Sequence, residues 1–362
     1  MNIMDKNTTT GNTGDWSELY ALGFLLSKGG VYGADENQNK KEDLFYRILK
    51  IIFKEKIGGE KMSYEIKNGI INIFLGLNKV SSIKAEKIEG VLRKMLKSLS
   101  VNNVGRAFSI ESGTELMKLL KKEVIKSSSY NKKDLDLVLL DVKTEFPTPE
   151  IGFSIKSQLG SPSTLINAST ATNFVFEILD KDNNVPKSFP KLHDKKIKDN
   201  INLLLNLGYK FVFNKVDSPT FQNNMLLIDS NLPEYLAKLL LSYYSRGANK
   251  MSKLIDINFS STDKKNKQPI YKIKEFLSNM TLGMMPNTEW DGKLTSLGGI
   301  ILVKKDGDVL CYYLYNLDDF QEYLLNNTKF DTPSTSRHKF GVIFKEGGRY
   351  FIKLNLQVRF IK

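Results

Sequence analysis

Two runs of alternating residues carry the side chains that could do chemistry. Leucines alternate with Asp134 and Asp136 in the first run, a period of two that predicts a strand. The second run, residues 151–157, places Ser154 and Lys156 on one face, and the prolines between the runs predict a hairpin. Carboxylates beside a lysine suit metal-assisted phosphodiester hydrolysis. They can hold Mg²⁺, which stabilises charge on the phosphate and acidifies a water, while the lysine positions or deprotonates that nucleophile.

This arrangement resembles the PD-(D/E)xK nuclease motif, in which an Asp is followed along the chain by an acidic residue two positions before a Lys. The resemblance makes Lys156 the catalytic lysine and either Asp134 or Asp136 the metal-binding aspartate. We favour Asp134 because it opens the strand; Asp141, at the far end of the same run, is a weaker candidate. Ser154 stands where the motif has its acidic residue, so one carboxylate is missing.

Two other carboxylates could supply the missing charge. Glu18 lies on the first predicted helix, like the helix glutamate that several nucleases of this fold bring to the metal. Glu177 follows Lys156 on the next element, like the migrated glutamate of restriction enzymes with a Ser-x-Lys motif. We favour Glu18 as a metal ligand and keep Glu177 as the alternative catalytic carboxylate. A strand carrying Lys and a helix carrying Glu also occur in many proteins without any catalytic role.

Longer strings of the sequence resemble the HpaII family of type II restriction endonucleases. They cover both ends and the middle of the chain, at residues 15–20, 33–37, 152–169, 172–174, 327–330, 333–338 and 353–360. The resemblance implies a mixed α/β (α+β) fold. Its PD-(D/E)xK restriction-endonuclease-like core has a central mixed sheet flanked by helices, with an additional C-terminal α+β region. It also implies Mg²⁺-dependent cleavage of double-stranded DNA at the palindrome CCGG, after the first C, leaving 5′-phosphates.

The implied substrate suggests partners and DNA-reading residues. A palindromic site favours a homodimer, and a companion DNA methyltransferase acting on the same site is expected. Arginine can bind O6 and N7 of guanine together, so the scarce arginines are candidates. Arg337 is the leading one, beside Ser336, His338 and Lys339. Small polar residues after Lys156 suit phosphate contacts, and two residues alternate on the last strand; these are Ser161, Ser163, Thr164, Asn167, Gln357 and Arg359. Each could instead be an ordinary loop, capping or surface residue.

Composition agrees with a polyanionic partner and excludes several other classes. Lys and Arg number 53 against 40 Asp and Glu, a formal charge of +13, although an AT-rich genome would also enrich lysine. One cysteine and two histidines exclude disulfides and Cys-based zinc clusters, and Cys311 lies in an apolar run that predicts a buried, inert thiol. Without an apolar signal segment or membrane span, we expect a cytoplasmic prokaryotic protein. The alternative functions are a sequence-specific DNA-binding protein without nuclease activity and, less favoured, a membrane-surface protein.

The elements that must position these residues follow from periodicity. Apolar stripes predict helices at 16–26, 42–56, 81–100, 112–127, 197–206, 220–228, 232–246 and 317–325. The chain from residue 298 onward is rich in predicted strands. We therefore divide it into a flexible tail (1–14), a nuclease core with N-terminal helices and the hairpin (15–180), and an α+β region contributing DNA recognition (181–362). Linkers are predicted at 181–200 and 259–268.

Overall fold

The computed structural model describes residues 9–57, 60–101, 107–125, 133–141, 143–193, 196–259 and 267–361. Residues 1–8 of the predicted tail, 126–127 of the fourth predicted helix and parts of both predicted linkers lie outside these ranges. The chain divides into two compact units. The first contains the described residues up to Ser163 together with Leu294–Tyr323, and the second contains Thr164–Lys293 with Leu324–Ile361.

A nine-stranded mixed sheet forms the centre of the first unit. Its strands are β1 (Gly30–Ala34), β2 (Lys40–Ile57), β3 (Glu60–Lys67), β4 (Ile70–Leu75), β5 (Asn78–Lys84), β6 (Leu135–Leu139), β7 (Ile151–Ser157), β11 (Gly299–Val303) and β12 (Val309–Tyr313). They are ordered β1-β12-β11-β7-β6-β2-β3-β4-β5. Strand β7 pairs antiparallel with β6 and parallel with β11, so the predicted hairpin lies at the centre of the sheet.

Strand β2 corrects the prediction of a helix over 42–56. The segment pairs with β1, β3 and β6, so its backbone hydrogen bonds go to three neighbouring strands. Tyr46 and Ile48 are buried while Phe45 and Arg47 are exposed, which is the period of a strand. The run 51–53 is apolar at every position, as expected where both faces of a central strand are covered. Because its apolar residues are so dense, the segment matches the periodicity of a helix as well as that of a strand.

Three helices pack on one face of this sheet. They are α1 (Thr13–Lys28), α2 (Ala85–Val101) and α3 (Glu111–Leu119). Helix α1 begins in a capping box, in which the Asn12 side chain accepts from the Asp15 N–H and the Asp15 carboxylate accepts from the Asn12 N–H. Its Trp16 is fully buried and donates to the Phe108 carbonyl at 2.9 Å. The helices share one apolar core with Phe153 and Ile155 of β7.

The second unit holds the remaining strands in two smaller sheets. These strands are β8 (Thr164–Ile166), β9 (Asn173–Leu179), β10 (Lys210–Val216), β13 (Thr328–Phe330), β14 (Ile343–Glu346), β15 (Arg349–Asn355) and β16 (Val358–Phe360). The sheet orders are β10-β9-β15-β14 and β13-β16-β8. The prediction of a strand-rich C-terminal part is confirmed.

Four of the remaining helices confirm the predictions at 197–206, 220–228, 232–246 and 317–325, whereas the two helices between residues 251 and 282 and the short helix at 335–338 were not predicted. The remaining helices are α4 (Ile197–Asn206), α5 (Pro219–Leu226), α6 (Leu232–Arg246), α7 (Met251–Asn258), α8 (Lys267–Leu282), α9 (Leu317–Asn326) and the short α10 (Thr335–His338). Cys311 is buried on β12, and burial raises the pKa of its thiol, which confirms the prediction of an inert cysteine. Among the described residues, no helix combines the length and apolar character needed to cross a bilayer.

Candidate active site

The carboxylate of Asp134 is held against the main chain of β7. Its Oδ2 accepts a hydrogen bond from the Ile155 N–H at 2.6 Å and one from the Ser154 hydroxyl at 3.2 Å. The Asp134 N–H donates to the Phe153 carbonyl at 2.7 Å. Leu135 pairs with Phe153 in the β6–β7 ladder, so strand register itself brings Asp134 opposite Ser154. The aspartate is therefore fixed at the N–H of Ile155, the residue that directly precedes Lys156.

Lys156 lies on the same face of β7 as Ser154. The two residues alternate with Phe153 and Ile155, which point into the core beneath α1. Lys156 is partly exposed, and none of the described carboxylates lies within ion-pair distance of its Nζ. A lysine without a counter-ion, one peptide from an anchored carboxylate, can take a phosphate oxygen as its partner.

Asp136, the second acidic candidate, is engaged differently. Its two oxygens accept from Lys133 Nζ at 2.7 and 2.9 Å, and the carboxylate is almost completely buried. Gly152 stands directly opposite Asp136 on β7. A Cβ at that position would lie 2.5 Å from Lys133 Cδ and 3.1 Å from Asp136 Oδ1, so glycine leaves the space that the lysine stem occupies. The charge of Asp136 is thus neutralised by Lys133, which lies just before the strand that carries Asp136.

The oxygen atoms of Asp134 and Asp136 fit a Mg²⁺ ion that takes few ligands from the protein. Within the described ranges, no three acidic, histidine or cysteine side chains cluster closely enough to hold a metal. Asp134 Oδ1 accepts no hydrogen bond from the described residues, whereas both oxygens of Asp136 are occupied by Lys133. Mg²⁺ commonly binds one or two carboxylates and completes its octahedron with water and substrate phosphate. Asp134 can serve such an ion, and Asp136 can do so only if Lys133 moves.

Glu18 is not brought into a cluster with the aspartates. It lies on α1, whose neighbouring Ser17 accepts a 2.9 Å hydrogen bond from the Ser157 hydroxyl. Helix α1 therefore meets the end of β7 that carries Lys156, but it packs on the face of Phe153, opposite to the face of Lys156. Among the described residues, no acidic group of three includes Glu18. Its proposed role as a metal ligand stays a prediction.

Glu177 lies in a different sheet from Asp134 and Lys156. It is on β9 in the second unit, where it is buried and its Oε1 lies 2.6 Å from Arg349 Nε on the adjacent strand. This pairing gives the carboxylate a structural partner within its own unit. The catalytic role of Glu177 stays a prediction.

The polar loop after Lys156 forms one wall of a small cavity in the first unit. The cavity has a volume of about 210 Å³ and is bordered by hydroxyl-bearing residues of this loop and by the start of α1; its lining is Asn12, Thr13, Gly14, Ser17, Ser157, Gly160, Ser161 and Ser163. Ser163 donates to the Ser157 carbonyl at 3.4 Å. Ser161 and Asn167 are exposed, and Thr164 opens β8. Ser161 and Ser163 therefore share a hydroxyl-lined recess near the end of β7.

The predicted DNA-reading residues near the C-terminus divide into exposed and engaged groups. Ser336, Arg337 and Lys339 are exposed on or just after α10, and His338 is partly exposed. Lys339 adopts the left-handed backbone region with φ of 52°, which ends the helix. Gln357, in contrast, is buried, and Arg359 Nε pairs with Asp331 Oδ2 at 2.9 Å. The α10 residues are available to a ligand in this structure, whereas Gln357 and Arg359 already have protein surroundings.

Lys133 and Gly152 are the site residues that the sequence did not reveal. Lys133 directly precedes Asp134, but spacing alone gives no sign that its side chain folds back onto Asp136 three residues later. The available signal was the glycine at the start of a predicted strand, since glycine within a strand often marks a close approach of another group.

The fold and the site define a class of protein. A large mixed sheet flanked by helices, with Asp134 directly before β6 and Lys156 on the neighbouring antiparallel strand β7, is consistent with a restriction-endonuclease-like core. The chain matches the model of the HpaII restriction endonuclease family over residues 12–360. It is 40% identical over 365 residues to the type II restriction enzyme HpaII of Haemophilus parainfluenzae, covering 97% of this chain and 99% of that enzyme. No solved structure matches the chain.

The chain therefore belongs to the HpaII restriction endonuclease family and is a type II restriction endonuclease, an enzyme that acts on DNA. This membership confirms the predicted fold class and enzyme class. The alternatives of a DNA-binding protein without nuclease activity and of a membrane-surface protein receive no support from it.

Proposed function

We propose that this enzyme cuts double-stranded DNA at CCGG in a Mg²⁺-dependent reaction, after the first C, leaving 5′-phosphate ends. The observation that carries the proposal is the Asp134 carboxylate on the Ile155 N–H, one residue before Lys156. The sequence CCGG is transferred from the family, whose relative HpaII spans nearly all of this chain.

Each side chain at the β6–β7 end has a chemical task in this proposal. Mg²⁺, when bound, neutralises charge on the scissile phosphate and acidifies a water. Asp134 would hold the ion, and its Oδ2 accepts a hydrogen bond from the main chain of β7. Lys156 orients the attacking water or takes its proton, and it opposes the charge that builds up on the phosphate. Ser154 keeps the carboxylate of Asp134 in place through its hydroxyl.

The proposed DNA contacts come from two groups of residues. Arg337 reads guanine in the major groove, with Ser336, His338 and Lys339 around it, because Arg pairs with O6 and N7 of guanine together. The recess that Ser161 and Ser163 line suits the backbone, since hydroxyl groups commonly contact phosphate oxygens. Thr164 at the start of β8 and Asn167 directly after β8 are further proposed DNA contacts. Because CCGG is palindromic, we further propose a homodimer, in which two-fold protein symmetry matches that of the site.

The cellular setting follows from the reaction. An enzyme that cuts CCGG would cut its own chromosome, so we propose a companion methyltransferase acting on the same site and a location in the prokaryotic cytoplasm. Each of these is independent of the geometry at Asp134.

The test is digestion of a plasmid that carries a few CCGG sites, with Mg²⁺ and with EDTA, followed by sequencing of the ends. We expect discrete fragments with Mg²⁺ alone, with breaks after the first C on both strands. Discrete breaks at another sequence would retain the nuclease and overturn the specificity. An absence of Mg²⁺-dependent cleavage by folded protein that still binds DNA would overturn the proposed chemistry.

A further inference from the structure

Part of the surface of the second unit combines a partly buried lysine with the loop that carries Arg337. A cavity of about 250 Å³ lies there, bordered by the first turn of α4, by Tyr244 and by two threonines; its lining is Lys196, Ile197, Lys198, Asp199, Tyr244, Thr332 and Thr335. We call this the α4–α10 surface. Lys198 lies where the predicted charged linker (181–200) overlaps the predicted helix (197–206), and it was not a candidate for DNA binding.

Lys198 is the unusual group on the α4–α10 surface. Its Nζ lies 4.1 Å from the centroid of the Tyr243 ring, and within the described ranges no carboxylate lies at ion-pair distance from it. Burial lowers the pKa of Lys198. A cation that is partly removed from water without a counter-ion is unfavourable on its own, and an incoming anion would relieve that cost.

The acidic groups around Lys198 already have other partners. Asp199, the next residue on α4, lies 3.7 Å from Lys196, and Asp331 pairs with Arg359 at 2.9 Å. Within the described ranges Lys198 therefore has no ion-pair partner on this surface, and the charge of Asp331 raises its pKa by less than burial lowers it. The Thr332 hydroxyl is 2.6 Å from the Tyr243 hydroxyl. This hydrogen bond holds the Tyr243 ring, which lies beneath Lys198, against the segment that contains Thr332.

Packing ties the loop of Arg337 to this same surface. Gly341, with φ of +84°, turns so closely over α4 that a Cβ there would lie 2.2 Å from Ile197 Cδ1. The Asn173 side chain donates to the His338 carbonyl at 3.0 Å, and the Gly341 N–H donates to the Lys353 carbonyl at 2.8 Å. These contacts fix the position of α10 relative to the first turn of α4. Ile197, the residue of α4 that contacts Gly341, directly precedes Lys198.

We propose that Lys198, with the Thr335 hydroxyl at the edge of the cavity, binds a backbone phosphate of the DNA and thereby sets the register in which Arg337 meets its base. Phosphate contacts from Lys and Thr position a protein on the duplex without reading sequence, while a neighbouring arginine reads the base edge. This inference rests on the proposed function, because it assigns a part of the same DNA interface.

The test is equilibrium binding, by fluorescence anisotropy in EDTA, to a duplex that contains CCGG and to a scrambled duplex, over a series of salt concentrations. We expect Lys198→Gln to weaken binding about five- to tenfold on both duplexes. The slope of log Kd against log salt should fall by about one, the value for one lost phosphate contact. Lys198→Arg should restore binding to within about threefold, since Arg keeps the charge and stacks on Tyr243.

Lys238→Gln is the matched control, because it removes the same charge from an exposed lysine of α6 that pairs with Glu234 at 3.2 Å. Thr335→Val removes the hydroxyl at nearly constant volume and should weaken binding about twofold. The inference is overturned if Lys198→Gln behaves like Lys238→Gln, or if its effect is confined to the CCGG duplex. If the wild-type protein binds neither duplex and does not cut plasmid, the proposed function fails and this inference falls with it. Wild-type binding and cutting with an unaffected Lys198→Gln would reject this inference alone.

Discussion

The end of the β6–β7 hairpin and the α10 loop are both candidate functional regions, but they are positioned by different forces. In the hairpin, Asp134 is located by strand register and by hydrogen bonds to the main chain of β7. In the loop, Arg337 is located by side-chain contacts from distant segments, including Asn173 and Ile197. In the proposed function, the catalytic residues thus lie on or beside paired strands, and the DNA-reading residues lie on or just after the short helix α10, which is held by packing. We therefore expect substitutions in the hairpin to lower the cleavage rate or the stability, and substitutions in the α10 loop to alter DNA binding.

The largest effect is expected at Lys156. Replacement with Ala removes the cation that faces the phosphate and leaves the strand intact, so single-turnover cleavage of a CCGG duplex should fall by about 10³-fold or more. DNA affinity should change by less than about fivefold. Lys304→Ala, on a lysine that follows β11 and pairs with Asp306, is the control and should cleave at the wild-type rate. An equal loss of cleavage rate in both variants would show that Lys156 has no specific role in catalysis.

The next effect concerns stability within the hairpin. Asp136→Asn removes the ion-pair partner of the largely buried Lys133, and we expect the free energy of unfolding to fall by about 2 kcal/mol in urea titrations. The double variant Lys133→Gln/Asp136→Asn should cost less than the sum of the single changes, because the pair is lost only once. Glu234→Gln, in an exposed pair with Lys238, should cost less than about 0.5 kcal/mol. An additive double variant would show that the ion pair contributes nothing.

Arg337 should affect specificity more than catalysis. Arg337→Ala removes a bidentate contact to guanine, so discrimination between CCGG and a duplex with one changed G·C pair should fall by about 1–3 kcal/mol. Single-turnover cleavage by the saturated complex should change little. Arg246→Ala, at the exposed end of α6, serves as the control for loss of one arginine. A uniform loss of affinity for all duplexes would instead make Arg337 a phosphate contact.

The smallest effect tests how the loop is held. Gly341→Ala introduces a Cβ against Ile197 at a residue with φ of +84°, so we expect DNA binding to weaken severalfold and stability to fall by about 1–2 kcal/mol. Gly347→Ala is the matched control, since φ there is +55° but nothing lies within 4 Å of the added Cβ. The difference between the two variants isolates the contact with α4. Equal behaviour would mean that the backbone angle alone sets the cost.

The same contrast explains what could be predicted from the sequence. The hairpin was predictable because alternation of leucine with Asp134 and Asp136, and the side on which Lys156 lies, follow from the strand period alone. The prediction of a helix at 42–56 was wrong because its apolar residues are dense enough to match both the helical and the strand period. The segment forms strand β2 because its backbone pairs with three neighbouring strands.

The remaining site features depend on the tertiary fold. The ion pair of Lys133 with Asp136 needs the space above Gly152, which only the β6–β7 register creates. The α4–α10 surface brings Lys198 close to a loop more than a hundred residues away in sequence, and no local pattern encodes that approach. The placement of Glu177 beside Arg349 likewise follows from the pairing of β9 with β15.

The most direct measurement compares Asp134, which directly precedes β6, with Asp136, which lies on that strand. Asp134→Asn and Asp136→Asn would be assayed side by side for single-turnover cleavage of a CCGG duplex with Mg²⁺, at a temperature where both remain folded. We predict that Asp134→Asn lowers the cleavage rate at least about 10²- to 10³-fold. Asp136→Asn should stay within about tenfold of the wild type, because its carboxylate serves Lys133. Loss of cleavage in Asp136→Asn, with Asp134→Asn active, would contradict the assignment of the catalytic carboxylate.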